Sequence, residues 1–146
     1  MNHQPPAAHR RILALDPGEA RIGVALSDEL GLFAHPRPAI PARDRRRALR
    51  AIADLVTSEA VDEVLVGLPL SLSGGRGPQA RSVESFIAEL RGAVTVPVRT
   101  ADERLTSAQA ARQAPDAARR RDGSLDSLAA ALLLQAELDA RRERPR

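Results

Sequence analysis

The chain contains no cysteine, no tryptophan and no tyrosine, and its only aromatic side chains are Phe33 and Phe86. Without cysteine it cannot form a disulfide framework, a thiolate metal site or a cysteine nucleophile. The absence of cysteine also suits a reducing compartment. Because aromatic rings are so few, base stacking is excluded as the main way of binding a nucleic acid.

Lysine is absent as well, so all 22 basic residues are arginine, against 19 acidic residues. This absence excludes a P-loop lysine, a Schiff-base lysine and a lysine general base. The net charge of +3 is modest, and bulk charge alone therefore does not indicate nucleic-acid binding. The arginine-rich run of residues 43–50 could follow a nucleic-acid backbone, but a solvated helix face is the favoured interpretation.

The chain has 146 residues, of which 43% are hydrophobic, and it contains no long apolar run. This length predicts one domain, expected over residues 10–141, with flexible tails at residues 1–9 and 142–146. The first nine residues lack the apolar stretch of a signal peptide. The longest apolar run, residues 128–134, is too short to cross a membrane. We therefore expect a cytoplasmic protein with no membrane partner.

Apolar runs and turn residues predict an α/β protein with the element order β-β-β-α-β-α-β-α-α. The predicted strands are residues 11–15, 21–27, 32–40, 63–67 and 94–99, and the predicted helices surround residues 49–56, 78–91, 107–113 and 124–139. The first three strands are expected to be antiparallel, and the later alternation of helix and strand implies parallel crossovers. Together these elements predict a mixed five-stranded sheet with helices on both faces.

Three acidic residues lie at the ends of these elements. Asp16 ends the first strand, Glu103 follows the fifth strand, and Asp126 lies in the first turn of the last helix, behind the N-cap candidate Ser124. Carboxyl ends of strands line the ligand crevice in open α/β sheets. Convergent carboxylates suit Mg²⁺ or Mn²⁺, and a pair of such ions can drive phosphodiester hydrolysis. Each acid also has an alternative interpretation, as a turn residue, a capping residue or a helix-dipole partner.

Basic and glycine residues near these acids are candidates for binding a substrate phosphate. Arg21 and Arg104 could hold the scissile phosphate with their planar guanidinium groups, or could pair with the neighbouring acids. Gly74, Gly75 and Arg76 precede a predicted helix, where backbone N–H groups could cradle an anion. A plain flexible loop is the alternative for that segment.

Four segments, taken in order, resemble the motifs of the YqgF/RuvX family. They are residues 16–25 (DPGEARIGVA), 66–70 (VGLPL) with Gly74 and Gly75, 102–107 (DERLTS) and 125–135 (LDSLAAALLLQ). That family is described as pre-16S ribosomal RNA nucleases, also called Holliday-junction-resolvase-like proteins. The resemblance, which spans about residues 11–139, implies a ribonuclease H-like fold and metal-dependent phosphodiester hydrolysis. It places the catalytic and metal-binding carboxylates at Asp16, Glu103 and Asp126.

The sequence departs from the related resolvases at one point. Those proteins carry a second acid one turn along the last helix, where this chain has Ala129 and Ala130; Asp122 could supply the missing charge. The expected function is processing of the 5′ end of pre-16S ribosomal RNA, with structured RNA favoured over branched DNA. The alternatives are a Holliday-junction-type DNA resolvase and a non-catalytic nucleic-acid-binding factor. A monomer would favour RNA processing, whereas a homodimer would match a two-fold symmetric junction.

Overall fold

The computed structural model describes residues 10–68, 78–102 and 124–143. Its strands are β1 (Ile12–Pro17), β2 (Arg21–Ser27), β3 (Ala34–Pro41), β4 (Glu63–Leu68) and β5 (Val98–Asp102). Its helices are α1 (Arg45–Ser58), α2 (Pro78–Ala93) and α3 (Ser124–Glu143). The short helix predicted at residues 107–113 lies outside the described residues. None of the helices described is long and apolar enough to cross a membrane.

The five strands form one sheet in the order β3-β2-β1-β4-β5. β2 is antiparallel to both β1 and β3, whereas β1, β4 and β5 run parallel to one another. The predicted mixed sheet is therefore confirmed, including the change from hairpins to parallel crossovers. Because β1, β4 and β5 share a direction, their carboxyl ends meet at one edge of the sheet, which we call the carboxyl edge.

Side chains alternate between two hydrophobic layers along each central strand. Leu13 and Leu15 of β1 pack with α1 and α2 on one face of the sheet. Ile12 and Ala14 pack with α3 on the other face. Both faces are thus covered, as predicted, and each layer is closed by apolar helix residues. These residues include Ile52, Val56, Val83, Phe86 and Leu90 on the first face, and Ala130, Leu133, Leu134 and Leu138 on the second.

Helix α1 begins at a side-chain cap and buries one stripe. The Asp44 carboxylate accepts a hydrogen bond from the backbone N–H of Arg47 at 3.2 Å. This bond satisfies one of the backbone donors left free at a helix start. Ala48, Ile52 and Val56 recur at four-residue spacing on the buried side. The opposite side of α1 faces solvent, and most of its exposed residues near the start are arginine.

Most predicted boundaries agree with the structure within two residues, and two of them were wrong by four residues. β5 begins at Val98 rather than at Val94, because the Val94 N–H donates to the carbonyl of Leu90 at 3.1 Å and so continues the end of α2. Val94 and Val96 still pack against the core, and their apolar character therefore reflects burial of a turn rather than strand pairing. Helix α3 continues past the predicted end at Asp139 as far as Glu143, because arginines in its last turns are anchored by ion pairs.

A buried ion cluster fixes the end of α3 to the start of β4. The Glu63 carboxylate is 3% exposed and accepts hydrogen bonds from Arg141 at 2.6 and 3.1 Å. Arg99 of β5 lies 3.3 Å from the same carboxylate. Burial raises the pKa of Glu63, but the hydrogen bonds and charge of Arg141, together with Arg99, outweigh that effect and leave the pKa below its usual value. The pKa of Arg141 is raised in turn, chiefly by its hydrogen bond to Glu63.

Candidate active site

Asp16 lies near the carboxyl end of β1, on the face that α3 covers. In the β1–β2 ladder it stands opposite Gly23. The alternation of side chains along β1 puts Asp16 on the same face as Ile12 and Ala14, which pack against α3. Its side chain is only partly buried. Asp16 is therefore placed where β1 meets both the carboxyl edge and the start of α3.

The loop after Asp16 is closed by a glycine that no other residue could replace without a shift of the backbone. The Gly18 N–H donates to the carbonyl of Arg21 at 3.0 Å. A Cβ atom at Gly18 would lie 2.7 Å from that same carbonyl oxygen. The Asp-Pro-Gly sequence thus forms a tight connection between β1 and β2. This connection fixes the position at which β1 ends and hence the position of Asp16.

Strands β4 and β5 bring Asp102, the residue before the second predicted acid, to the same edge. Leu15 of β1 pairs with Val66 of β4, which pairs with Thr100 of β5. Two residues beyond Thr100, Asp102 ends β5 beside Leu68. Glu103 follows Asp102 directly in the sequence and lies outside the described residues. The register therefore brings the residue before Glu103 to the carboxyl edge that also carries Asp16.

Helix α3 starts beside the same part of the sheet, and Ser127 anchors it there. The Ser127 hydroxyl donates to the Arg37 carbonyl at 2.7 Å and accepts from the Val24 N–H at 3.3 Å. Val24 pairs with Leu15, one position from the Asp16–Gly23 pair. Asp126 precedes Ser127 in the first turn of α3. The start of the helix that carries Asp126 is thus tied to the strand next to Asp16.

Ser127 is a site residue that the sequence analysis missed. The β2–β3 register shifts between Ile22 and Val24, and the hydroxyl bonds to one backbone group on each strand just beyond that shift. Both bonds join residues at least 90 positions apart, so no local pattern reveals them. The only available signal was a small polar residue within an otherwise apolar stretch of the last helix.

Replacing Ser127 with alanine is expected to lower the free energy of unfolding by about 1–3 kcal/mol, because a buried donor and a buried acceptor lose their partner. Denaturant unfolding measures this change. Ser58→Ala makes the same chemical change at an exposed position near the end of α1 and should alter stability by no more than about 0.5 kcal/mol. Equal effects of the two substitutions would contradict the anchoring role of Ser127.

The missing acid of the last helix has a structural explanation. Ala129 and Ala130 are 7% and 0% exposed, and Ala130 packs in the layer between α3 and the sheet. A carboxylate at Ala130 would have to enter this apolar layer without water. The packing of Ala130 against the sheet therefore excludes an acid at that position.

The remaining predicted site residues divide between described and undescribed parts of the chain. Arg21 starts β2, where it pairs with Pro41, and its side chain is partly buried. Arg104, Gly74, Gly75 and Arg76 lie outside the described residues. Within the described ranges, no three acidic, histidine or cysteine side chains form a metal-binding group.

A cavity of about 630 Å³ lies on the other side of the β1–β2 loop, toward α1 and α2. Gly18, Arg45 and Phe86 are among the residues that line it. The Arg45 guanidinium lies 5.3 Å from the centre of the Phe86 ring and 2.9 Å from the Glu89 carboxylate. The start of α1 therefore borders the loop that follows Asp16.

Comparison with curated proteins gives relatives that are similar over nearly the whole chain. A protein of Roseiflexus sp. (strain RS-1) named "Putative pre-16S rRNA nuclease" is 42% identical over 135 residues, covering 90% of this chain and 96% of the relative. A protein of the same name from Chloroflexus aurantiacus is 44% identical over 137 residues, covering 92% of this chain and 90% of the relative.

Solved structures support the same fold at lower identity. RuvC of T. thermophilus, in complex with a Holliday junction substrate, matches with a TM-score of 0.60 and 17% identity, covering 92% of this chain and 96% of RuvC. The fowlpox virus Holliday junction resolvase matches with a TM-score of 0.55 and 12% identity, covering 89% and 99% of the two chains. The chain therefore has the ribonuclease H-like fold of these resolvases.

The family comparison covers the described sheet, helices α1 and α2, and α3 as far as residue 140. The family model "RuvX: Holliday junction resolvase" matches residues 10–140. This range includes Asp16, Glu103 and Asp126, and it agrees with the resemblance seen in the four sequence motifs. From this match and the relatives above, the chain belongs to the RuvX family.

Proposed function

We propose that this protein is a metal-dependent nuclease that hydrolyses phosphodiester bonds, with Asp16, Glu103 and Asp126 as its catalytic and metal-binding residues. One structural observation supports this proposal more than any other. The carboxyl ends of β1 and β5 lie at one edge of the sheet, and the first turn of α3 is bonded to β2 beside the end of β1. Each of these three element ends carries or directly precedes one of the three acids.

The donor chemistry of these residues fits Mg²⁺ or Mn²⁺. The three proposed ligands are carboxylates, which are the ligands that these hard cations prefer. Asp16 is partly exposed at the edge of the sheet, and an ion could therefore reach it from solvent. When bound there, a divalent ion would stabilise the charge that develops on the phosphate during hydrolysis. Asp16 would be the fixed member of the set, because the tight Gly18 loop determines where β1 ends.

Further residues of the chain are proposed to hold the substrate phosphate. Arg21 follows the Gly18 loop, close in sequence to Asp16, and Arg104 follows Glu103. A guanidinium group binds two phosphate oxygens at once, which orients the phosphate as well as attracting it. Gly74, Gly75 and Arg76 precede α2, and their backbone N–H groups are proposed to bind a neighbouring phosphate.

The 5′ extension of pre-16S ribosomal RNA is the substrate that we propose. The relatives that are 42–44% identical carry pre-16S rRNA in their names. A Holliday junction is the second candidate, because the family model is described as a Holliday junction resolvase. The first substrate suits a monomer and a cytoplasmic location, whereas two-fold symmetric cleavage of a junction requires a homodimer.

Cleavage of matched substrates by the purified protein tests this proposal. The substrates are an RNA with the 5′ extension of 16S ribosomal RNA and a DNA four-way junction, each with Mg²⁺, with Mn²⁺ or with EDTA. We expect cleavage of the RNA with either ion and none with EDTA. Faster cleavage of the junction would favour the resolvase. Tight binding without cleavage in any metal would favour a non-catalytic factor and would overturn the nuclease proposal.

A further inference from the structure

The exposed side of α1 carries a concentration of unneutralised positive charge. Within the described part of the chain, four exposed arginines at and before the start of α1 have no acidic partner within ion-pair distance. Other arginines there, including Arg11, Arg37 and Arg141, are paired with carboxylates. The four, which we call the α1 arginine cluster, are Arg43, Arg46, Arg47 and Arg50.

This arrangement is unfavourable for the helix itself. The positive end of the helix dipole repels cations in the first turn. The Asp44 cap offsets part of this repulsion, but the first turn itself contains no acid. Arg46 and Arg50 are four residues apart, a spacing at which like charges on a helix destabilise it. Asp54 stands one turn beyond Arg50 but does not pair with it in the described structure. A solvated helix face would interleave both signs of charge, and an anionic ligand would offset the repulsion seen here.

The start of α1, where the cluster begins, is joined to the loop that follows Asp16, although α1 covers the opposite face of the sheet from the Asp16 side chain. The Ala42 N–H, just before α1, donates to the carbonyl of Ala20 in the β1–β2 loop at 2.9 Å. Arg45, in the first turn of α1, lines the same cavity as Gly18. Asp16 and the start of α1 are thus joined through one short loop. The cluster extends from that loop along the side of the protein that is covered by α1 and α2.

We propose that the α1 arginine cluster binds the phosphodiester backbone of the nucleic acid that flanks the cleavage site. This inference rests on the proposed nuclease function and adds a second contact region to it. Guanidinium groups bind phosphate oxygens in pairs and do not read base edges. The cluster would therefore strengthen binding and set the direction in which the substrate leaves the active site, without selecting a sequence.

Salt-dependent binding measurements test the cluster directly. The probes are the RNA with the 5′ extension and the DNA four-way junction, each bound to protein that carries Asp16→Asn so that cleavage does not interfere. The test variant adds Arg46→Gln and Arg50→Gln. We expect about tenfold weaker binding of the preferred probe at low salt. The slope of log K against log salt should fall by about 1.5, because two phosphate contacts are lost.

A charge-matched control separates a local contact from net charge. Arg10→Gln with Arg142→Gln removes the same two charges at the opposite edge, where β1 begins and α3 ends. This control should leave the affinity within twofold of the parent protein and the salt slope unchanged. Equal weakening by both double variants, or no change of slope in the test variant, would overturn the proposal.

The outcomes also distinguish this inference from the proposed function. If the wild-type protein cleaves neither probe but the cluster governs binding of either probe, only the nuclease proposal is overturned. If metal-dependent cleavage occurs and the cluster has no effect on binding, only the proposed role of the α1 arginine cluster is overturned. Vesicles of anionic phospholipid are a third probe. If binding to these vesicles depended on the cluster and binding to RNA and DNA did not, the proposed role of the α1 arginine cluster would also be overturned.

Discussion

Asp16→Asn is expected to lower the rate of metal-dependent cleavage by roughly 10³-fold, the scale seen when one essential electrostatic contact is removed from an active site. Asparagine has almost the same shape as aspartate but has no charge to hold a divalent ion. Asp16 lies at a strand end and is partly exposed, so the free energy of unfolding should change by no more than about 1 kcal/mol. Single-turnover rates in Mn²⁺ and denaturant unfolding measure the two effects.

A neighbouring acid provides the control for Asp16. Glu19 lies in the same loop but is exposed and lines the cavity on the α1 side. Glu19→Gln should therefore keep the cleavage rate within a few fold of wild type. If Asp16→Asn instead destabilised the fold by several kcal/mol and kept its activity, Asp16 would be a structural turn residue. Glu103→Gln and Asp126→Asn are expected to resemble Asp16→Asn if the three acids act together.

The sheet could be predicted because its signals are local. Residues 21–27 have an apolar interior (IGVAL) and are followed by turn residues, and β2 has the predicted bounds Arg21–Ser27 in the structure. β5 could not be placed in the same way, since Val94 and Val96 are apolar for a different reason. They pack against the core from a turn that follows α2. An apolar run indicates burial, but whether the buried segment is a strand depends on the segments that it pairs or packs with in the fold.

The candidate site was predictable only as a set of element ends. The end of β1 and the start of the last helix follow from turn and capping residues near Asp16 and Asp126. Their mutual placement depends on the Ser127 hydroxyl, which bonds to residues 90 and 103 positions away. The role of Glu63 could not be predicted either, because its main partner is also distant in the sequence. An acid at the start of a strand is normally expected to face solvent, and the arginine that keeps it buried comes 78 residues later.

Arg141→Ala is expected to cause the largest loss of stability, about 3 kcal/mol, because it leaves the buried Glu63 carboxylate without its main partner. Among the described residues only Arg99 would remain, and that side chain is 54% exposed. In the wild-type protein the pKa of Glu63 is lowered. Its ionisation therefore adds stability above the unfolded-state pKa of about 4.3. That stability is lost as the pH falls through the lower pKa of the folded state.

The variant should reverse the pH dependence that Glu63 contributes. Without Arg141, burial becomes the dominant influence and raises the pKa of Glu63, so the contribution of Glu63 to stability should fall as the pH rises past about 4.3. Denaturant unfolding between about pH 3 and 7 measures both profiles.

Arg142→Ala is the control, since it removes an exposed pair with Asp139 and should cost less than about 1 kcal/mol. Adding Glu63→Leu to Arg141→Ala should recover much of the lost stability, because no buried charge then remains unpaired. An unchanged pH profile in Arg141→Ala would contradict this role of the ion cluster.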